Sequence, residues 1–214
     1  RTRDELLGVA DLEQEGVGRR QAHRLVERGE LLRLDRGVFA HPDFEPSEHH
    51  HLALVAFRCP SAVIALSSAA SFHRLGTQLP HAVWVALPPR TWAPRLESVG
   101  VEVARFSGSR YVADVTRHLV EGVQVPVYGE AKTVVDLFRY RNKLGLDVAL
   151  EAMREVLRSR RATLAELARD RIVIFSTHII EDISSSCNRL AVMGESQIRF
   201  QGSPQEMVEL TRGA

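Results

Sequence analysis

Arginine side chains concentrate in one short stretch near the start of the sequence. Residues 19–36 hold six arginines against three acidic residues, a net charge of +3, whereas residues 1–45 together carry −2. Guanidinium groups bind phosphate oxygens, so this stretch favours contact with a polyanion. The formal net charge of the whole chain is only +1, so any nucleic-acid surface must be local. An ordinary solvated helix face is the alternative that the pattern leaves open.

Two groups that contain histidine are the other candidates for chemistry. The three consecutive histidines at 49–51 would point in different directions on a helix, so we do not expect them to chelate one metal ion. Ser68, Ser71 and His73 offer a nucleophile and a base, but no Gly-x-Ser-x-Gly turn surrounds them. Close helix packing explains these small residues better. We therefore predict no catalytic residue, no metal site and no cofactor.

The arginines fall on a predicted helix and the hairpin that follows it. Apolar residues at helical spacing predict a helix over residues 19–28, which Gly29 ends. Strands are predicted at 31–34 and 38–40, with a tight turn between them. A further helix is predicted at 9–15, before a Gly-Val-Gly turn. This order is typical of a winged helix-turn-helix, in which one helix enters the major groove and the wing touches the flanking backbone.

The middle of the chain mixes helix and strand patterns. Pro42 and Pro46 mark a linker. Pro126 is expected to limit its strand to a sheet edge or a strand end. The predicted helices cover 47–58 (capped by Ser47), 61–76, 130–141 and 147–158, and the predicted strands cover 83–87, 99–106, 112–120 and 123–128. These elements predict a mixed sheet flanked by helices.

The composition changes near residue 170. Ile64 is the one isoleucine before residue 171, and six isoleucines follow it. We predict an α+β chain with a winged helix-turn-helix domain at 1–45, a mixed-sheet α/β domain at 46–170 and a short fused α/β tail at 171–214. The two cysteines, Cys59 and Cys187, lie far apart in the sequence and form no recognisable disulfide pattern. No apolar run approaches the roughly 20 residues of a membrane span. We therefore expect a cytoplasmic protein without a membrane partner.

Much of the chain before residue 170 resembles the AbiEi-type antitoxins of type IV, abortive-infection toxin–antitoxin systems. The resemblance rests on GVGRRQAHRLVERGELLRLDRGVFAHP, SSAASFHRLGTQLPHAVWVALP and AKTVVDLFRYRNKLGLDVALEAMREVLRSRRATLAEL. It implies a winged-helix DNA-binding domain joined to an α/β antitoxin domain. It also implies repression of the protein's own operon, through its double-stranded operator, and a nucleotidyltransferase-like toxin as partner.

Two sets of basic residues follow as candidate DNA contacts. The first set lies on the predicted helix and wing and consists of Arg19, Arg20, His23, Arg24, Arg33 and Arg36. The second is a basic surface that the resemblance implies, made of Lys132, Arg139 and Lys143. Helical spacing predicts that this second surface lies opposite the inward apolar stripe of the helix at 130–141.

Residues 171–214 resemble the C-terminal end of an ABC-transporter ATPase. His178 matches the switch histidine, and strands are predicted at 172–175, 189–193 and 197–202 before a helix at 204–211. The chain has no G-x-x-x-x-G-K-[ST] loop, ABC signature or Walker B acid, so we predict a fused remnant that does not hydrolyse ATP.

We expect a DNA-binding repressor and antitoxin, not an enzyme. The alternatives are a toxin-modifying enzyme of nuclease or atypical-kinase type, a nucleotide-binding transporter subunit, and a non-functional fusion that carries an ATPase fragment.

Overall fold

The computed structural model describes residues 4–163, 190–194, 197–203 and 205–206. The chain divides into two compact units, Arg1–Arg161 and Ala162–Ala214. Both contain strands and the first also contains helices, so the fold is mixed α and β. No helix among the described residues has the length and apolar character needed to cross a bilayer. The boundaries at 45 and 170 stay predictions.

The first unit begins with two short helices and a small sheet. Strand β1 (Leu7–Gly8) leads into helices α1 (Val9–Gln14) and α2 (Arg19–Glu27), and the hairpin β2 (Leu32–Asp35) and β3 (Val38–Ala40) follows. The three strands are antiparallel in the order β1-β3-β2. The predicted helices and hairpin are therefore present, with four of their eight ends shifted by one residue. Their arrangement is compatible with a winged helix-turn-helix.

A small apolar cluster holds these elements together. Leu12 of α1, Ala22 of α2 and Leu31 before β2 are buried against one another, and Leu25 and Val26 pack beside them. Gly29 has a φ of +72°, a conformation that favours glycine, and it ends α2. The buried face of α2 is thereby fixed, which turns its other side to solvent.

The rest of the first unit is built on a mixed sheet, as predicted, and this sheet has five strands. Its strands are β4 (Val63–Ile64), β5 (Val83–Leu87), β6 (Val101–Arg105), β7 (Val115–Val120) and β8 (Val123–Tyr128). The spatial order is β6-β5-β4-β8-β7, with β5 parallel to β6 and β4 parallel to β8. Strand β5, which lies between β6 and β4, is buried at every position, because helices cover the sheet.

Six helices accompany the sheet. They are α3 (His50–Arg58), α4 (Leu66–Phe72), α5 (Ser109–Val112), α6 (Glu130–Arg139), α7 (Arg141–Leu144) and α8 (Leu146–Arg158). Helix α3 packs against β8 and β5, and α6 packs between α4 and α8. Leu32 and Leu34 of β2 pack against the same core as α3, so the hairpin rests on the α/β part.

Three predictions about these elements are wrong. The helix predicted at 61–76 contains strand β4, because an apolar run this short fits a buried strand as well as a helix. The helix predicted from a Ser47 cap begins at His50: the Ser47 hydroxyl accepts from the His49 amide at 3.3 Å, but it also donates to Glu121 at 2.8 Å, which holds Ser47 outside the helix. Strand β8 lies inside the sheet, but β4 is so short that it pairs with β8 at Val127 and leaves Pro126 unopposed on that side.

The second unit contains one described hairpin. Strands β9 (Leu190–Gly194) and β10 (Gln197–Gly202) pair antiparallel with a register shift, where two strands were predicted. The strand predicted at 172–175 and His178 lie outside the described residues. So does nearly all of the helix predicted at 204–211.

Candidate nucleic-acid interface

Helix α2 presents three arginines to solvent. Arg19, Arg20 and Arg24 are exposed, whereas Ala22 on the opposite side is buried. Within residues 4–163 none of these three guanidinium groups forms an ion pair. Unpaired cations on a short exposed helix are available to phosphate oxygens and to guanine edges.

Two other basic residues, one on α2 and one just after it, have acidic neighbours. His23 Nδ1 lies 3.3 Å from Glu27 Oε1 one turn later, and Arg28 lies 3.8 Å from Glu30. All four side chains are well exposed, so these pairs are weak and screened by salt. Of the predicted contacts on this helix, His23 is thus the one with an acidic partner.

The hairpin carries two arginines, of which one has an ionic partner within the described part of the chain and one has none there. Arg36 sits exposed in the β2–β3 turn, beside Gly37, whose φ is +74°. Arg33 pairs with Glu97 through Nη2 and Oε2, at 2.8 Å, and both side chains are about half exposed. Arg36 therefore remains the freer of the two predicted wing contacts.

A buried carboxylate fixes the hairpin to the neighbouring loop. Asp35 is 2% exposed, and its Oδ2 accepts hydrogen bonds from the Glu97 and Ser98 amides at 2.8 and 3.2 Å, and from the Ser98 hydroxyl at 2.9 Å. Its Oδ1 accepts from the Arg36 amide at 2.6 Å. Burial raises the pKa of Asp35, but these hydrogen bonds outweigh burial and lower the pKa below its ordinary value. The sequence predicted only a turn residue here, since its partners lie about sixty positions away.

The structure contradicts the second predicted basic surface at Lys132. This side chain is 4% exposed, and its Nζ donates to Asp136 at 2.6 Å. The same carboxylate accepts from Arg139 at 2.8 Å and from Arg110 at 3.1 Å. Arg139 is mostly buried, so the prediction that Lys132 and Arg139 face solvent is wrong.

Lys132 is buried because other segments of the chain cover the side of α6 opposite its apolar stripe as well as the stripe itself. Lys132 Nζ lies 4.1 Å from the Tyr128 ring centroid and 4.9 Å from that of Phe106, so two aromatic rings contact its ammonium group. Burial lowers the pKa of Lys132, and the bond to Asp136 opposes this only in part. Helical spacing shows which charges share a side, but not whether another segment covers them.

Lys143 is the exposed member of that predicted set. It lies on α7, pairs with Glu102 at 3.1 Å and places its Nζ 4.5 Å from the centroid of the Trp84 ring. The structure therefore does not gather Lys132, Arg139 and Lys143 into one accessible surface.

The candidates for catalysis and metal binding have structural contacts. Ser68 accepts from the Trp84 amide at 2.9 Å, and His73 Nε2 donates to the Tyr128 carbonyl at 2.7 Å. His50 donates to Glu121 at 2.7 Å. Between residues 4 and 163, and in the described hairpin, no three histidine, cysteine or acidic side chains converge to hold a metal ion.

Comparison with known proteins finds one family model that is similar to the N-terminal stretch. Residues 2–42, which hold β1, α1, α2 and the β2–β3 hairpin, match the family described as "Transcriptional regulator, AbiEi antitoxin". The resemblance to AbiEi antitoxins is therefore confirmed over this stretch, and the likeness of the tail to an ABC-transporter ATPase stays a prediction.

One solved structure is also similar to part of the chain. It is the crystal structure of the RV2827C protein from Mycobacterium tuberculosis, with 23% sequence identity and a TM-score of 0.47. The similarity covers 62% of this chain and 55% of that one, so this chain spans just over half its length. At that TM-score the likeness supports no argument about function. No curated protein matches the chain.

Proposed function

We propose that the chain is a DNA-binding transcriptional regulator and antitoxin that represses its own operon in the cytoplasm. The observation that carries the proposal is the set of exposed arginines on α2 and in the Arg36 turn, which have no ionic partner among the residues that the structure describes. The match of the same residues to a family of transcriptional regulators and antitoxins supports it.

Each element has a distinct role in this proposal. Helix α2 enters the major groove, where Arg19, Arg20 and Arg24 contact guanine edges and phosphates. Arg36 contacts the flanking backbone, and Asp35 keeps the hairpin in position for that contact. Lys132 and Arg139 do not contact DNA in this proposal, because they form ion pairs with the buried Asp136.

The antitoxin part of the proposal concerns a protein partner. The partner class is a nucleotidyltransferase-like toxin, as the family resemblance implies, and the action against it is binding or repression rather than catalysis. The word antitoxin in the description of the matched family supports this role. Co-expression with a nucleotidyltransferase-like toxin tests this role, because we expect the chain to relieve the growth arrest that the toxin causes.

Charge reversal on α2 tests the DNA-binding part. We expect the Arg20→Glu/Arg24→Glu double variant to lose binding to a duplex from the region upstream of the gene, measured by fluorescence anisotropy. The matched control is Arg154→Glu/Arg160→Glu, which makes the same change in net charge at two exposed positions outside the interface. Equal loss in both variants, or no loss in the first, would contradict the proposal.

A further inference from the structure

The loop between β5 and β6 is anchored at both ends. We call residues 88–98 the Trp92 loop. Arg105 Nη1 donates to the carbonyl oxygens of Pro88 and Thr91, at 2.9 and 2.7 Å. At the other end, the Asp35 carboxylate accepts from the Glu97 and Ser98 amides. Two independent sets of hydrogen bonds therefore hold the backbone on either side of residues 92–96.

The outward part of this loop carries an aromatic side chain between two arginines. Trp92 is 90% exposed, whereas Trp84, the other tryptophan, is buried. Arg90 and Arg95 are exposed, and within residues 4–163 neither forms an ion pair. Tryptophan is highly buried on average in folded proteins, so an anchored loop that holds one in water is a feature of binding surfaces.

The Trp92 loop lies beside the hairpin. Asp35, to which the loop is bonded, directly precedes Arg36, and Arg33 is paired with Glu97. Arg95 is two residues before Glu97, so the Cα atoms of these two residues are within about 7 Å. The hairpin and loop together present four arginines against two carboxylates, Asp35 and Glu97. The four arginines are Arg33, Arg36, Arg90 and Arg95.

We propose that the Trp92 loop is a second DNA-contacting element, which holds the duplex beside the hairpin. Arg90 and Arg95 bind phosphates, and Trp92 packs its ring against sugars and base edges of the adjacent minor groove. DNA fits because it offers anionic oxygens and apolar flat surfaces in alternation. A protein partner could make the same contacts only if acidic groups and an apolar patch lay side by side on its surface at this one place. The inference rests on the DNA-binding function proposed above.

Tryptophan fluorescence tests the contact directly. In the full-length Trp84→Phe protein, Trp92 is the only tryptophan. We expect the duplex from the region upstream of the gene to quench its emission and to protect it from acrylamide. Unchanged emission and unchanged acrylamide access at saturating duplex would overturn the inference. Protection that arises only when a protein partner is added would overturn it too, in favour of a protein-binding loop.

Affinity measurements separate this inference from the proposed function. We expect Trp92→Ala to weaken duplex binding about tenfold, as for loss of one stacked aromatic contact. We expect Arg90→Gln/Arg95→Gln to lower the slope of log affinity against log salt by about 2. Leu79→Ala, at another exposed apolar residue, and Arg154→Gln/Arg160→Gln are the controls. Wild-type affinity in both loop variants would overturn the inference and leave the function standing, whereas no binding by the wild type overturns both.

Discussion

Two buried carboxylates, Asp35 and Asp136, determine which cations of the first unit remain available. Asp35 is satisfied mainly by backbone amides and one hydroxyl, so it leaves the Arg36 guanidinium free. Asp136 is satisfied by three cationic side chains, so it removes Lys132 and Arg139 from the surface. This difference explains why the exposed positive charge lies at Arg36 and not at Lys132 or Arg139.

Loss of the carboxylate from the Asp136 cluster should cost more stability than loss of one of its cations. Asp136→Asn should lower the free energy of unfolding by about 3 kcal/mol or more, because three partly buried cations lose their carboxylate. Lys132→Met should change it by only about 1 kcal/mol, because Arg110 and Arg139 still pair with Asp136. Urea unfolding of both variants measures the two values. Equal costs would show that Asp136 is not the centre of the cluster.

Stability should depend on pH through His73. Burial lowers the pKa of its ring, which the bond to the Tyr128 carbonyl and the charge of Glu130 oppose only in part. A lowered folded pKa means that the stabilising contribution is complete above about pH 6.5 and is lost as the pH falls further. Between about pH 7.5 and pH 5, the wild type should therefore lose more stability than His73→Gln. Parallel losses in urea unfolding at the two pH values would refute this.

At the scale of the elements, the β7–β8 hairpin connects the parts of the first unit. Its two-residue turn has a φ of +51° at Glu121 and +75° at Gly122, and the first value is unusual for a residue with a side chain. The Glu121 carboxylate accepts from the Ser47 amide, the Ser47 hydroxyl and His50, and its carbonyl oxygen accepts from the Leu6 amide. These bonds hold the strained turn in place.

Two substitutions at Glu121 separate its side-chain bonds from its backbone strain. Glu121→Ala should lower the free energy of unfolding by about 2 kcal/mol, because the bonds to Ser47 and His50 are lost while the strain persists. Glu121→Gly loses the same bonds but tolerates a positive φ, so it should be about 1 kcal/mol more stable than the alanine variant. Thermal unfolding of the two variants side by side compares them; equal midpoints would mean that the turn stores no strain.

The elements that could be predicted from the sequence are those set by short-range signals. Helix α2 and the β2–β3 hairpin follow from apolar spacing, Gly29 and Gly37, and β5 and β8 begin and end where predicted. The start of α3 could not be predicted, because Ser47 bonds to Glu121, more than seventy residues away.

The candidate site was predictable to the same extent. The arginines of α2 are exposed as their spacing indicates, because a short helix packs on one side only. The burial of Lys132 depends on Arg110 and Phe106, which come from a distant segment of the sequence. Asp35 and the Trp92 loop escaped prediction for the same reason, since their contacts join β2 to residues after β5.

At the scale of the whole molecule, the first unit contains its own structural partners. All strands of the three-stranded and five-stranded sheets, and the helices that cover them, lie within Arg1–Arg161. The second unit has its own β9–β10 pair. Each unit can therefore be considered by itself.

A chain that ends at Arg161 should retain the fold of the first unit. We expect its thermal unfolding midpoint to remain within a few degrees of the corresponding transition in the full chain, because no strand pairing of the first unit is removed. Duplex binding should also persist, since α2 and the hairpin are intact. Circular dichroism and fluorescence anisotropy measure the two properties. An unfolded or non-binding short chain would show that residues 162–214 are needed.

The most direct test of the account is a map of the DNA-contacting surface by amide NMR. Titration of the full chain with the duplex from upstream of its gene should shift the amide signals of residues 19–37, while signals of α6 and α8 remain near their free positions. Raised salt should reverse these shifts, because the contacts are largely to phosphates. Shifts confined to α6 and α8, or no shifts at all at low salt, would contradict the claim that α2 and its hairpin bind DNA.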